Sequence, residues 1–225
     1  ITPTPGGYNT GGNVDFIRKL DFSVDHGFFE SSFQLAITTP TPGVQIRYTL
    51  NGSTPTESTG VVYGGPITID RTSVVRAAAF KPGYLSSEVE TRTYLFIADV
   101  LTQSPAGYVP GTGWPASGAI NGVQLNYGMD PSILNDPRYT GLVDDALLAI
   151  PSVSLVTDLP NLFDPIYGIY VNPGGDGRNW ERPTSLELIN PDGSEGFAVN
   201  AGLRIRGGYS RSTANPKHAF RSEER

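Results

Sequence analysis

Over residues 45–69 the chain alternates and then breaks. Ile46, Tyr48 and Leu50 fall on one side of an extended segment and Arg47 and Thr49 on the other, the period-two pattern of a strand with one buried face. Asn51-Gly52 follows, a pair suited to the positive φ angles of a tight turn. Ser53-Thr54-Pro55 opens a loop, and Ile67-Thr68-Ile69 alternates again. Upstream, Phe33, Leu35 and Ile37 form another alternating run, stopped by Pro40 and Pro42-Gly43. Downstream, 73–80 and 87–96 read as strands separated by a turn at Lys81-Pro82-Gly83-Tyr84. Short strands at this spacing, each pair divided by a turn signal, predict a small antiparallel β-sandwich of immunoglobulin-like type. Residues 16–24 lead into it, and Phe33, Leu35, Ile37, Ile46, Tyr48 and Val75 are its expected core.

The pattern changes after Ile97. Ser104-Pro105-Ala106-Gly107, Val109-Pro110-Gly111 and Gly113-Trp114-Pro115 break any periodic element, and Trp114 and Tyr127 are expected to cover apolar surface between domains. Asp136-Pro137 reads as a helix start, with Leu142, Val143, Leu147 and Leu148 on one face and Pro151 as the stop. Asp144 and Asp145 read as a solvated face. Strands are predicted at 152–157, 168–171, 184–189 and 196–206, the last two joined by a Pro191-Asp192-Gly193 hairpin turn. Asp176 and Glu181 lie in a polar loop without the spacing of a calcium site. The domain plan is a linker or upstream tail over 1–15, the sandwich over 16–97, a Pro/Gly-rich linker over 98–135, and a second, incomplete β-rich (α+β) domain over 136–225. The fold class is mainly β.

Composition narrows the function. With 225 residues, 27 Gly, 19 Pro and 11 Tyr, the chain reads as a loop-rich β protein of one or two domains. A net charge of −6 with no basic stripe argues against a nucleic-acid partner. No apolar run approaches the ~18–20 residues of a bilayer span. The absence of cysteine excludes disulfides and Cys-ligated zinc. Ile1 as first residue and a single methionine suggest a processed or excised piece. His26 and His218 are isolated, no metalloprotease, P-loop or serine-hydrolase motif occurs, and Asn51-Gly52-Ser53 is a formal glycosylation sequon.

The stretch nearest to chemistry is C-terminal. A strand at 203–206 runs into Gly207-Gly208, whose backbone N–H groups suit an anion-binding nest flanked by Arg206, Ser210, Arg211 and Lys217. The alternative is structural: Arg206 and Arg211 pair with Glu187 or Glu195 across the hairpin.

Two resemblances add to this reading. Tyr48-Thr49-Leu50-Asn51-Gly52-Ser53-Thr54-Pro55-Thr56, then Tyr63, Pro66-Ile67, Val75-Arg76-Ala77, Gly83, Ser87 and Tyr94 resemble the immunoglobulin-like module appended to chitobiases and β-hexosaminidases, over 22–97. That resemblance implies an accessory domain without catalytic residues. Arg204-Ile205-Arg206-Gly207-Gly208-Tyr209-Ser210-Arg211 with Pro216-Lys217-His218-Ala219-Phe220-Arg221 looks like the start of CotH-type secreted atypical kinases, over 151–221. It implies Arg206, Gly207, Gly208 and Ser210 at nucleotide phosphates and Lys217 as their charged partner. The family's metal-binding and catalytic carboxylates have no counterpart here, and phosphoryl transfer needs them. The expectation is a non-catalytic structural or interaction segment of a large secreted or cell-surface multidomain protein, without catalytic residues, metal or cofactor. Its partners would be neighbouring domains or other surface proteins. One alternative is the nucleotide-binding part of a CotH-like kinase, with ATP and Mg²⁺. The other is a carbohydrate-binding accessory module using Trp114, Trp180 and Tyr84.

Overall fold

Ser73–Phe80 is the central strand of the first half because its two faces differ. Val75, Ala77 and Ala79 are fully buried on one side, whereas Val74, Arg76 and Ala78 occupy the other. The computed structural model describes residues 15–102, 109–116, 118–122, 125–213, 215 and 217–224. The linker expected over 1–15 therefore falls, apart from Asp15, outside the described residues, as do Ser104-Pro105-Ala106-Gly107 and Pro216.

In chain order the strands of this half are β1 (Asp15–Phe16), β2 (Asp21–Phe22), β3 (Gly27–Phe28), β4 (Phe33–Leu35), β5 (Ile37–Thr38), β6 (Gln45–Thr49), β7 (Val61–Val62), β8 (Ile67–Ile69), β9 (Ser73–Phe80), β10 (Tyr84–Leu85) and β11 (Glu90–Leu95). One sheet has the order β3-β11-β9-β6-β7, and the pairs β2-β5 and β4-β8 make up the opposing layer. Between the layers lie Leu20, Leu35, Ile37, Ile69, Val75, Ala77, Ala79 and Tyr94, with Phe33, Ile46 and Tyr48 partly buried against them. Burying each large aliphatic side chain contributes about 1.5–3 kcal/mol. Phe29, Phe33 and Tyr94 pack with ring centroids 4.5–5.6 Å apart. The Tyr94 hydroxyl donates to the Val24 carbonyl at 2.8 Å, and burial pushes its pKa upward. The mainly β fold and the immunoglobulin-like sandwich are therefore as expected.

Three local readings need correction. Phe33, Leu35 and Ile37 keep their alternating phase but belong to two strands: β4 pairs with β8 and β5 with β2. Ala36 between them exchanges bonds with Ser23 instead, its N–H going to Ser23 Oγ at 2.8 Å. At Asn51-Gly52 only Gly52 takes positive φ, at 76°. Asn51 closes an Asx turn, its Oδ1 accepting from the Ser53 N–H at 3.1 Å. Leu50, past the end of β6, is exposed rather than aligned with Ile46 and Tyr48.

The second half contains short helices α1 (Ile97–Thr102), α2 (Pro131–Leu134), α3 (Val143–Leu147) and α4 (Leu159–Phe163), with strands β12 (Ser152–Val156), β13 (Arg182–Ile189), β14 (Phe197–Arg206) and β15 (Ala219–Glu224) in an antiparallel sheet of that order. The β13–β14 hairpin turns at Pro191-Asp192-Gly193, with Gly193 at φ 72°. The helix expected from Asp136-Pro137 is shorter. Asp136 binds the Arg138 N–H and guanidinium in a turn, and Gly141 at φ 73° precedes α3. The same Asp-Pro signal does cap α2, where Asp130 accepts from the Ser132 N–H at 2.8 Å. Residues 168–171 are a turn rather than a strand, because the Ile169 and Tyr170 N–H groups donate to the carbonyls of Asn161 and Leu162. Gly168 is required there, since a Cβ would lie 2.5 Å from the Asp164 backbone. A small core of Ile169, Leu203 and Ile205, with Leu162 and Trp180, holds this half together.

The two halves meet sheet to sheet. The outer face of the five-stranded sheet, carrying Arg76, Thr91 and Thr93, packs on the face of β12–β14 that carries Ser154, Val156, Ser185 and Glu187. Among the described residues no helix is long and apolar enough to cross a membrane.

Candidate functional site

Strand alternation builds the seam between the sheets. On β11, Tyr94 enters the sandwich core, so Thr91 and Thr93 must point the other way. On β13 the same parity turns Ser185 and Glu187 toward them. Thr91 Oγ1 donates to Ser185 Oγ at 2.7 Å. Glu187 is completely buried. Its Oε1 accepts from the Thr93 N–H at 3.2 Å, and its Oε2 from Thr93 Oγ1 at 2.5 Å. Thr93 Oγ1 also meets Ser154 Oγ at 2.7 Å, and His26 Nδ1 lies 3.0 Å from Glu187 Oε1. A carboxylate in such a place costs several kcal/mol unless its oxygens are bonded, and both are. The hydrogen bond to Glu187 raises the His26 pKa above its ordinary 6.5, against the lowering effect of burial.

A second polar cluster crosses the seam nearby. Asp158, just after β12, accepts from the Thr54 N–H at 2.8 Å and the Thr54 hydroxyl at 2.6 Å. Arg76, 8% exposed, donates through Nη1 to Thr54 Oγ1 at 2.7 Å and lies 3.5 Å from Asp158. Burial lowers its pKa, and Asp158 opposes that shift. Gly52 completes the contact: a Cβ there would stand 3.3 Å from Val156 Cγ1. Beside this cluster opens a cleft of about 1120 Å³, bounded by Asn51, Asp70, Asp99, Trp114, Ser154 and Asp158 among others.

The sequence-predicted loop lies elsewhere. Arg206 ends β14, and Gly207, Gly208, Ser210 and Arg211 lie in the turn that follows, where Gly207 takes φ 97°. Ser210 Oγ donates to the Arg206 carbonyl at 2.5 Å. The Arg211 guanidinium faces inward, donating to the Gly175 carbonyl at 2.6 Å and the Ile205 carbonyl at 2.8 Å. Its ion pair is with Asp176 at 3.4 Å. The alternative pairing of Arg206 or Arg211 with Glu187 does not form, because Glu187 stands opposite Ala198, at the far end of β14 from Arg206. A backbone N–H of Gly177 and then Arg211 hold the Asp176 carboxyl below its usual range. Lys217 is exposed, and its neighbour His218 places Nδ1 2.5 Å from the Ser210 carbonyl.

Glu181 lies 3.6 Å from Arg204, and no group of three metal-ligating side chains occurs among the described residues. Trp114 packs against Tyr127 and Phe163 at 5.4 and 5.9 Å, aromatic contacts within the second half of the chain. Trp180 packs on the small core of the second half and Tyr84 against Lys81. No ring contact joins these three aromatics.

Residues 24–91 match the family model of the chitobiase/beta-hexosaminidase C-terminal domain. Neither a curated protein nor a solved structure matches the chain. The family match therefore covers the sandwich from β3 to the start of β11. The CotH-type resemblance over 151–221 has no support in these comparisons.

Sequence reasoning missed the seam, although its trace was present. Thr91 and Thr93 share one face of a predicted strand, as do Ser185 and Glu187, and polar residues so placed read as a solvated face until a second sheet covers it.

Proposed function

We propose that this chain is a non-catalytic structural and interaction segment of a larger secreted or surface-displayed polypeptide, in which an immunoglobulin-like module is held at a fixed angle on a second β-sheet. The observation that carries this reading is Glu187, wholly buried at the seam and bonded by Thr93 and His26 of the sandwich. Directional bonds of this kind specify one docking geometry, whereas a flexible tether leaves such groups in water. The family match over 24–91 supports a structural or carbohydrate-associated role for the sandwich. Neighbouring domains and other surface proteins are the partners this arrangement suits, with carbohydrate as the alternative. The reading needs no cofactor; ATP and Mg²⁺ would enter only through the nucleotide reading of the C-terminal loop.

Glu187→Ala tests it. The wild-type chain should unfold in one cooperative transition and tumble as one body by NMR relaxation. The variant should split into two transitions, leaving the secondary structure of the sandwich intact. Independent tumbling of two bodies in the wild type would refute the proposal.

A further inference from the structure

The seam also contains a titratable pair with one member from each half. His26, between β2 and β3, has a side chain 8% exposed, Glu187 on β13 is at 0%, and Nδ1 lies 3.0 Å from Oε1. The other charged groups that face the ring are Asp25 on its own segment and Arg92 on β11. Asp25 Oδ1 lies 3.8 Å from Nδ1, and Arg92 Nε lies 2.6 Å from that same oxygen. Gly196, just before β14, borders the ring's Nε2, so that a Cβ there would stand 3.3 Å away. Arg92 is engaged with Asp25 and not with Glu187, so His26 is the cation available to this carboxylate.

We infer that His26 and Glu187 form a proton-operated clasp, in which the imidazolium–carboxylate pair holds the two sheets together and loss of its proton loosens the seam. This rests on the docking proposed above. With the proton gone, Glu187 keeps its two bonds from Thr93 but faces an uncharged ring across a dry contact. The direction of the pH effect follows from the solvated and docked forms. In water the ring has its ordinary pKa of 6.5, and in the closed seam the value is higher. Closure therefore takes up a proton between those two values. The clasp is at full strength below about pH 6.5 and weakens as pH rises through the docked-state pKa, with opening increasing up to tenfold per pH unit inside that window.

The full chain has two histidines, so His26 can be followed by NMR once His218→Gln assigns the other signal. Exchange of the Thr93 amide, which donates to Glu187, reports opening after correction for the intrinsic pH dependence of exchange. We expect His26 to titrate above 6.5, Thr93 protection to fall across the same interval, and His26→Gln to abolish that slope. A wild-type His26 that titrates at or below 6.5 overturns the clasp without needing any variant, as does an unchanged slope in His26→Gln. Both results leave the docking in place. An unprotected Thr93 amide at about pH 6 overturns the clasp together with the docking.

Discussion

The two faces of the five-stranded sheet are buried to similar depth with opposite chemistry. On the inner face Val75, Ala77 and Tyr94 are at 0% exposure; on the outer face Arg76 is at 8% and Thr91 and Thr93 at 4%. Apolar burial is non-directional and roughly proportional to area, so the inner face makes the layers adhere and tolerates small slips. Each hydrogen bond of the outer face contributes only about 0.5–1.5 kcal/mol net, yet an unmade one costs about 1–3 kcal/mol. That asymmetry makes the outer face a weak adhesive and a strong register mark. The inner face builds a module; the outer face determines how it sits on its neighbour.

The largest expected effect breaks the inner face. Leu35→Ala removes a side chain at 0% exposure and should cost about 2–5 kcal/mol, lowering the denaturant midpoint of the sandwich. Ile46→Ala, at a partly buried position, should cost less. Unchanged stability in Leu35→Ala would mean that the core has been misplaced.

The inner face was also the legible one. Strand spacing and the Lys81-Pro82-Gly83-Tyr84 turn signal located β9 at Ser73–Phe80, and Pro191-Asp192-Gly193 located the β13–β14 turn, because both signals are local. In two of the misses the competing partners lie in another element of the fold; in the third, at Asp136, they are local. Gly168-Ile169-Tyr170-Val171 has strand composition, but its N–H groups are taken by carbonyls of the preceding helix. Asp136-Pro137 carries a helix-start signal, but Asp136 binds Arg138 in a turn and Gly141 comes before the helix. Glu187 looked like a hairpin partner for arginine. Its true partners, His26 and Thr93, stand far away in sequence, where no periodicity points to them. Within the C-terminal loop, the residues named from sequence are together except Lys217, which lies across the turn, while the inward orientation of Arg211 depends on the 173–176 loop.

A smaller effect should follow from the outer face alone. Thr93→Val keeps shape and strand propensity but removes the hydroxyl that donates to Glu187. We expect a loss of about 1–3 kcal/mol, read as weaker coupling between the halves with the isolated sandwich unaffected. A double-mutant cycle with Glu187→Gln should give a coupling of about 0.5–3 kcal/mol. Additive effects would remove Thr93 from the seam's bonding.

The smallest expected effect sets the seam against the C-terminal loop, the other polar cluster of the molecule. At the seam, charged groups find partners across the halves; in the loop, Arg211 is held by the carbonyls of Gly175 and Ile205 and by Asp176, and Lys217 is exposed. Arg211→Ala should therefore loosen the 173–176 loop rather than alter anion affinity. For Lys217→Ala we expect no change in stability and little in binding. ATP with Mg²⁺ should bind no more tightly than roughly millimolar, about −4 kcal/mol, in both wild type and variant, and no turnover should be detected. Calorimetry decides between the two readings: micromolar binding that disappears in Lys217→Ala would make the loop a working nucleotide site, and the structural reading of this half of the chain would have to yield.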